Sequence, residues 1–527
     1  MRAAFLVALA LALALPARAT EGDLRFRLAL HGRFTDRENR PGPTLLYDRT
    51  ARAFDLGAYL RPQGSDAFAS ALVSAGVEGR HGWFRWALAA DTGELRSQAF
   101  PGIAEVCASP LSPTGLDVVG SRRCGPRLSA LLETGAVEET RLEPAQLTSN
   151  GRPFGDEVRD TLLLREAWVG AALGRNDFAL LRVGRKRFTV ADGFVYDDYG
   201  MGIEATFDLG AIGPSWDLGA ALFYPTRDFP GSSGATSLML ALRADYLPSL
   251  FEHAGVFLAL FRDRTNSLAD LFRGSFAEPS VLALRGQAVG TPGFAREEIT
   301  LAVTQSSPLE SDGWLGWTGT SGSMAVLGAK LDWTGALALG RFTVRLPALQ
   351  LESPTSVFGQ LAHLRLRARA GREVELGGFF LFLSGDLPPS EKTRLGLPER
   401  YGGFLGIAPF VTDTNIFFNG GVAESFASRQ ATAPGVNGRG VIAPGLTASW
   451  DPLRALAFDA RAAYLVAPEV GPFGGRVYGP EVDLEVTWSP LSWLTFAAEG
   501  DVLFPGNFFA GRAPVTKVVL GIDLVAM

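Results

Sequence analysis

The segment from Leu361 to Gly385 alternates charged and apolar side chains. Arg365, Arg367 and Arg369 are separated by single apolar residues, and two glutamates follow a glycine with the same spacing. A guanidinium group binds carboxylates through paired hydrogen bonds, so a row of arginines could contact an anionic solute. Because successive side chains of a strand point to opposite faces, this spacing predicts a strand with one charged face and one apolar face.

The same alternation places charged residues on one face of many other predicted strands. The basic positions are Arg25, Arg27, Arg165, Arg182, Lys186, Arg243, Arg365, Arg367, Arg369 and Arg461. The acidic positions are Glu204, Asp208, Asp245, Asp459, Glu481, Asp483, Glu485, Glu499 and Asp501. If these residues line a lumen, bases and acids on different walls would create a transverse field that selects polar solutes. The alternative is that they only solvate the wall and pair across strands.

Catalysis finds little support in the sequence. The histidines fall on separate predicted strands or turns: His31, His81, His253 and His363. No serine–histidine–aspartate order or metal-ligand spacing stands out. The acidic, tyrosine-containing segment 191–200 could hold a cation, although such a segment is more often a solvated loop. We therefore predict no enzyme activity, no cofactor and no metal.

Composition excludes two broad classes of protein. The chain has 527 residues, of which 47% are hydrophobic and 20% are charged, and its net charge is −6. This chain is too apolar to be disordered. It also has no excess of basic residues of the kind that nucleic acid attracts, so no nucleic-acid partner is expected.

The N-terminus has the three parts of a secretory signal peptide. Arg2 is followed by an apolar run from Ala3 to Leu15, and Ala17-Arg18-Ala19 is a small-x-small cleavage site. A membrane-anchor helix is disfavoured because the run is short and Pro16 ends it. We expect residues 1–19 to be the signal peptide and residues 20–527 to be the exported protein.

Short and long connections alternate along the predicted strands. The short turns lie near 79–82, 174–177, 210–214, 247–250, 334–335, 370–372, 451–453 and 489–491. The longer connections lie near 35–66, 93–159, 189–198, 225–234, 264–320, 347–358, 386–439, 467–475 and 505–513, if segment 54–60 counts as a β-piece inside the first. This pattern gives eighteen strands. A soluble β-sandwich has no reason to follow it, whereas an outer-membrane barrel does.

The sequence therefore predicts an all-β fold, a transmembrane antiparallel β-barrel of about 18 strands. Short turns and both termini would face the periplasm, and the long loops would be extracellular. Aromatic residues near the short turns agree with an interfacial girdle. They are Trp83, Phe178, Trp216, Phe251, Trp333, Trp450, Trp488 and Trp493.

A barrel explains the alternating arginines. Leucines 364 and 366 would face lipid, and the three arginines would face the lumen. A three-residue turn, Ala370-Gly371-Arg372, would pair Arg369 with Glu373 and Arg367 with Glu375. Charged side chains of both strands would then share the inner face.

Two parts of the chain resemble the alginate-export barrel family of outer-membrane porins. The residues that carry the resemblance are Glu166, Ala167, Trp168, Val169, Arg182, Gly184 and Arg185 in one part, and Gly479, Glu481, Asp483, Phe504, Pro505 and Gly506 in the other. The resemblance implies an eighteen-stranded monomeric barrel whose arginine-lined lumen passes an anionic polysaccharide.

We thus expect an outer-membrane channel for polar or anionic solutes, with export of an anionic polysaccharide as the finer expectation. The alternatives are a structural or adhesive barrel with a loop-plugged lumen, and an outer-membrane enzyme. The expected partners are outer-membrane lipid and lipopolysaccharide, the barrel-assembly machinery and a periplasmic polysaccharide-synthesis or export complex.

Cys107 and Cys124 form the first testable expectation. They are the two cysteines of an exported chain, so we predict that they form a disulfide in the loop between the third and fourth strands. Closing such a loop would stabilise the ordered form by roughly 3 kcal/mol in the chain-entropy model. Thiol labelling of the unfolded, unreduced protein should modify neither cysteine, and labelling of both would contradict the disulfide.

Overall fold

We describe the fold from a computed structural model. It describes residues 23–38, 44–48, 53–55, 66–92, 95–100, 137–141, 163–174, 177–211, 215–225, 237–249, 252–263, 310–346, 351–387, 400–407, 411–418, 439–471, 474–509 and 513–526. The predicted signal peptide, Cys107 and Cys124 lie outside these residues.

Eighteen strands form one antiparallel sheet. They are β1 Asp23–Glu38, β2 Asp66–His81, β3 Phe84–Asp91 with its continuation Leu95–Phe100, β4 Leu163–Leu173, β5 Ala179–Val190, β6 Tyr196–Asp208, β7 Trp216–Pro225, β8 Leu238–Ser249, β9 Glu252–Asp263, β10 Glu310–Val326, β11 Ala329–Leu346, β12 Leu351–Arg369, β13 Val374–Leu383, β14 Val441–Leu453, β15 Leu456–Val466, β16 Val477–Leu491, β17 Leu494–Leu503 and β18 Val515–Ala526. Single 3-10 turns span Ala191–Gly193 and Leu209–Ala211. Over the described ranges, no helix is long and apolar enough to cross a bilayer.

The sheet closes on itself. β1 pairs with β2, where Leu30 lies opposite Val73, and also with β18, where Leu30 lies opposite Leu524. Closure matters because a bilayer offers no water to an unpaired strand edge. The predicted fold class, an eighteen-stranded antiparallel barrel, is confirmed.

The outer face of the barrel carries an apolar belt. Exposed side chains around the wall include Leu88, Val169, Val183, Ile203, Leu222, Leu242, Val256, Leu337, Leu364, Leu446, Leu484 and Leu520. Apolar surface of this extent would be unfavourable in water and is favourable in lipid. The belt and the closed sheet together are those of a bacterial outer-membrane protein.

Tryptophans mark one end of the belt, which we call the turn end because the short connections lie there. Trp450 stacks on Phe458 and Trp488 stacks on Phe496 across neighbouring strands, with ring centroids 5.2 and 5.4 Å apart. These rings are at the level where an indole can contact both lipid and water. We call the opposite end the loop end.

One predicted turn is wrong. Residues 334 and 335 lie inside β11, and the turn falls at Leu327-Gly328, which joins β10 to β11. Both turn residues have positive φ, 51° for Leu327 and 82° for Gly328. A leucine rarely adopts this conformation, so the residue type at the first position of the turn does not predict a turn there.

The hairpin at Gly371 has the predicted faces but not the predicted register. Arg369 lies opposite Glu375, and Arg367 lies opposite Gly377, whereas Glu373 belongs to the turn. The turn is therefore longer than the expected three residues, and Ala370 N donates to Val374 O. A shift of two residues keeps every side chain on its face, because the side-chain period is also two.

Several strands are longer than the sequence suggested. β10 begins at Glu310 and β12 begins at Leu351, inside segments that were expected to be loops. The β-piece expected near 54–60 is the short strand Ala53–Asp55, which forms a separate three-stranded sheet with Thr44–Asp48 and Val137–Arg141. This sheet joins the connection after β1 to the connection between β3 and β4.

Leu366 tests the assignment of the two faces. It is 46% exposed on the outer face, so Leu366→Arg should destabilise the barrel by about 2–4 kcal/mol near the bilayer midplane. Arg369→Ala, on the inner face of the same strand, should fold like the unmodified protein. Folding into lipid vesicles, followed by the heat-dependent shift in electrophoretic mobility, measures both. The faces would be reversed if only the inner-face variant failed to fold.

Candidate functional site in the lumen

Two segments fold inwards and narrow the lumen. We call residues 191–195, between β5 and β6, the hairpin tip. We call residues 402–407 and 411–418, from the connection between β13 and β14, the inner loop. The two meet where Ile407 N donates to Val195 O over 2.8 Å, and Trp317 of β10 donates from Nε1 to Leu405 O over 2.7 Å. The inner loop is thus fixed to both the tip and the wall.

Backbone conformation directs the hairpin tip into the lumen. Ala191, Asp192 and Gly193 all have positive φ, at 54°, 50° and 91°. Gly200 of β6 pairs with the last residue of β7. Among the described residues, those of β6 before Gly200 pair only with β5. The hairpin is therefore able to leave the wall, and Asp192 accepts a hydrogen bond from Thr334 on β11.

Apolar packing holds one side of the inner loop. Phe404 and Leu405 are buried against the wall, and burial of each stabilises the docked loop by roughly 1.5–3 kcal/mol. On the other side, Phe417 packs on Tyr478 of β16 with ring centroids 4.8 Å apart, and Tyr478 packs on Phe508 at 4.5 Å. The loop-end half of the lumen therefore has a packed apolar interior.

Asp413 fixes the inner loop to β12. Its Oδ1 accepts hydrogen bonds from Arg365 Nη2 at 2.5 Å and Arg365 Nε at 3.1 Å, and lies 3.2 Å from His363 Nε2. Burial would raise the pKa of the Asp413 carboxyl, but the charges and hydrogen bonds of His363 and Arg365 outweigh it and hold the pKa well below its ordinary value. The carboxylate is buried, and the side chain of its partner Arg365 is partly exposed.

Two acids of β16 bind the backbone of the inner loop. Glu481 Oε1 accepts from Ile416 N at 2.5 Å, and its Oε2 accepts from Phe417 N at 3.2 Å. Asp483 Oδ2 accepts from Asn415 N at 3.2 Å. Consecutive N–H groups that point the same way attract anions, and here side chains of the wall supply the anions.

Thr412 and Asn415 connect the inner loop to three further strands. Its Nδ2 donates to Asp501 Oδ1 of β17 at 3.0 Å, and its backbone oxygen accepts from Lys517 Nζ of β18 at 3.0 Å. Arg461 Nη1 of β15 donates to Thr412 O at 2.8 Å. Lys517 also pairs with Glu499 at 2.5 Å, so one ammonium group offsets part of the negative charge of this wall.

The predicted charged residues divide into a buried group and an exposed group. Buried or paired against other elements are Arg165 with Asp91, Arg182 and Lys186 with Glu204, and Arg461, Glu481, Asp483, Glu499 and Asp501 as described above. Exposed or half-exposed to the lumen are Arg25, Arg27, Arg243, Arg365, Arg367 and Arg369, and Glu485 is half-buried. Asp208 is exposed, whereas Asp245 and Asp459 are half-buried.

Several residues of the site were missed from the sequence. Asp413 and Asn415 lie in a long connection, and their contacts are with strands far along the chain. The apolar content of the segment from Val411 to Phe418 could have indicated that the segment is buried, because two adjacent phenylalanines are uncommon in a solvated loop. Asp332 of β11 was also missed, and Arg367 Nη2 contacts it at 2.5 Å.

The segment 191–200 does not offer a cation a free carboxylate cluster. Asp192 binds Thr334, and Asp197 pairs with Arg187 at 2.5 Å. Throughout the part of the chain that the structure describes, no cluster of metal-binding side chains is found.

Acid should release the inner loop at Asp413. Because the folded-state pKa is lowered, the ion pair stabilises the docked loop above the ordinary aspartate value of about 3.9 and is lost as the pH falls through the lower, folded-state value. Asp413→Asn should remove this step and weaken docking at pH 7 by about 1.5–3 kcal/mol, the worth of hydrogen bonds to a charged group. Hydrogen exchange of residues 411–418, corrected for intrinsic rates, measures both. Equal protection in both proteins at pH 7 would show that Asp413 does not hold the loop.

No protein-family model and no curated protein sequence matches this chain. Among solved structures, it is similar to OpdK of Pseudomonas aeruginosa solved with vanillate, at 10% identity and a TM-score of 0.46, over 96% of this chain and 98% of that chain. It is also similar to OccK9 (OpdG) of Pseudomonas aeruginosa, at 13% identity and a TM-score of 0.47, over 96% and 99%. A BenF-like porin from Pseudomonas fluorescens Pf-5 is similar at 9% identity and a TM-score of 0.46, again over 96% and 99%.

At such low identity, the function of this chain has to be argued from its own residues. The resemblance to the alginate-export family stays a prediction, since no family model matches.

Proposed function

We propose that the protein is an outer-membrane channel for small polar solutes and that it favours anions. One observation carries this proposal. Four acids of β16 and β17 are buried behind the inner loop, whereas arginines on the inner face of other strands stay partly exposed, even where one pairs with an acid as Arg367 does with Asp332. The charged side chains that a solute can reach therefore include a larger share of basic residues than the wall as a whole.

Exposure of the individual side chains supports this difference. Glu481 is fully buried, and Asp483, Glu499 and Asp501 are no more than 5% exposed. By contrast, the side chains of Arg243 and Arg367 are 58% and 42% exposed, although both lie on the inner face. Side chains that face the axis of a closed sheet and still contact water indicate a wet lumen.

The inner loop favours small solutes over a polymer. It crosses the lumen with contacts to β10, β12, β15, β16, β17 and β18. A polysaccharide would have to pass beside this loop or displace it, which would break the ion pair of Asp413 and the backbone hydrogen bonds to Glu481. Export of an anionic polysaccharide is therefore a weaker proposal than passage of small anions.

The second candidate is a barrel sealed by the inner loop, as a structural or adhesive protein would be. The apolar packing of Phe404, Leu405, Phe417 and Tyr478 favours it, because this packing fills the loop-end half of the lumen. A sealed barrel and a channel differ in one measurable property, since only the channel conducts ions in the steady state.

Single-channel recording of the purified protein in a lipid bilayer tests the proposal. We expect steady conductance and a reversal potential that favours anions under a salt gradient. The combined variant Arg243→Ala, Arg367→Ala and Arg369→Ala should shift the preference towards cations, most strongly near 0.01 M salt, where the Debye length is about 30 Å. These positions leave Arg365, which binds the inner loop, unchanged.

Arg187→Ala is the matched control. Arg187 pairs with Asp197, lies on the face of β5 opposite to Arg182 and Lys186, and is remote from the arginines of β12. This variant should leave the reversal potential unchanged. Absence of steady conductance would favour the sealed barrel. A conducting barrel whose selectivity ignored the three arginines would contradict the anion path.

A further inference from the structure

A row of arginines lies on the outer face of the barrel at its loop end. Arg262 of β9 is directly opposite Trp314 of β10, which is opposite Arg341 of β11, and Arg341 is opposite Ser356 of β12. All four side chains are exposed, and they share the face of the leucines of the apolar belt. Charged residues on this face have no place in the hydrocarbon region, so the row requires an explanation.

A fifth residue extends the row. β13 ends at Leu383, and beyond that point the short strand Arg400–Tyr401 pairs in parallel with β12, with Arg400 beside Ser356. Its Cζ lies 4.9 Å from the ring centroid of Phe358, on the outer face. Neighbouring strands are about 4.8 Å apart, so the backbones of Arg341 and Arg400 flank Ser356 at a separation of roughly 10 Å.

The height of the row matches the outer boundary of the membrane. Trp333, at the turn end of β11, is eight residues before Arg341. At about 3.3 Å per residue and a tilt near 40°, this separation is roughly 20 Å along the barrel axis. The apolar belt of an outer-membrane barrel is about 25 Å tall. Trp314 is 50% exposed within the row, and tryptophan is a residue type that favours the interface between membrane and water.

The charges of Arg262 and Arg341 differ in their pairing. Arg262 Nη2 pairs with Asp312 Oδ1 at 2.7 Å. Arg341 forms no ion pair with any residue that the structure describes. Arg341 therefore presents positive charge at the level of the outer-leaflet headgroups, beside the exposed side chains of Ser356 and Arg400.

We infer that Arg341, Ser356 and Arg400 bind a phosphate group of an outer-leaflet glycolipid of the lipid A type. Two long guanidinium side chains on either side of a hydroxyl can converge on one phosphate through charge-assisted hydrogen bonds. Trp314 and Phe358 supply the adjacent apolar contact for the acyl chains. The inference rests on the membrane position of the barrel and does not depend on transport.

Titration of the detergent-solubilised protein with diphosphorylated lipid A, read by native mass spectrometry and by the thermal unfolding midpoint, tests it. The unmodified protein should retain the lipid and gain thermal stability. The double variant Arg341→Gln and Arg400→Gln should bind at least tenfold more weakly. The double variant Arg367→Gln and Arg369→Gln makes the same charge change on the inner face and should bind normally. Equal affinity of the outer-face variant and the unmodified protein would overturn the site.

Ligand variants keep the test decisive even if the outer-face variant does not fold. Dephosphorylated lipid A should bind the unmodified protein at least tenfold more weakly, and equal binding would exclude a phosphate site. Inorganic phosphate at millimolar concentration should neither displace lipid A nor raise the unfolding midpoint, and if it did both, the site would be one for free phosphate. Single-channel conductance of the outer-face variant should be unchanged, which separates this inference from the proposed transport.

Discussion

Backbone hydrogen bonding in a medium without water is the constraint on which the whole fold depends. Each N–H and C=O group in the bilayer needs a partner inside the protein, and the pairing of β1 with β18 provides it for the last open edge. Closure then fixes two faces with a period of two, one against lipid and one around the lumen. The charged residues of the strands have their roles because of the face on which they lie.

The inner loop meets the same constraint in a different way. A segment that enters the lumen brings backbone N–H groups with it, and burial leaves them without water unless the wall supplies acceptors. Glu481 and Asp483 are those acceptors for the residues around Asn415. Glu481 and Asp483, which the sequence predicts to line the lumen, are partners of the loop backbone in the folded protein. Under the proposed function, a solute would encounter mainly the arginines that remain.

Sequence reasoning succeeded where the signal is local and periodic. The fold class follows from the alternating short and long connections, and the faces of β12 follow from the alternating side chains. Even the wrong register at Gly371 preserved these faces, because it was wrong by two residues. Sequence reasoning failed where the structure depends on the backbone conformation of a single residue or on contacts between residues far apart in the chain. Leucine does not favour a positive φ, so the residue type at position 327 does not predict the turn, and the partners of Asp413 on β12 lie about fifty positions away.

The seam between β1 and β18 also bears on the order in which the barrel forms. His31 and Asp523, which hydrogen-bond at 2.7 Å across the seam, are 492 positions apart. Bringing such ends together in a flexible chain costs roughly 5–6 kcal/mol of entropy, whereas each hairpin closes over a few residues. Hairpins should thus form early and the seam last. Until the final strand is available, β1 keeps an unpaired edge, so a chain truncated before β18 would be left as an open sheet prone to pair with other chains.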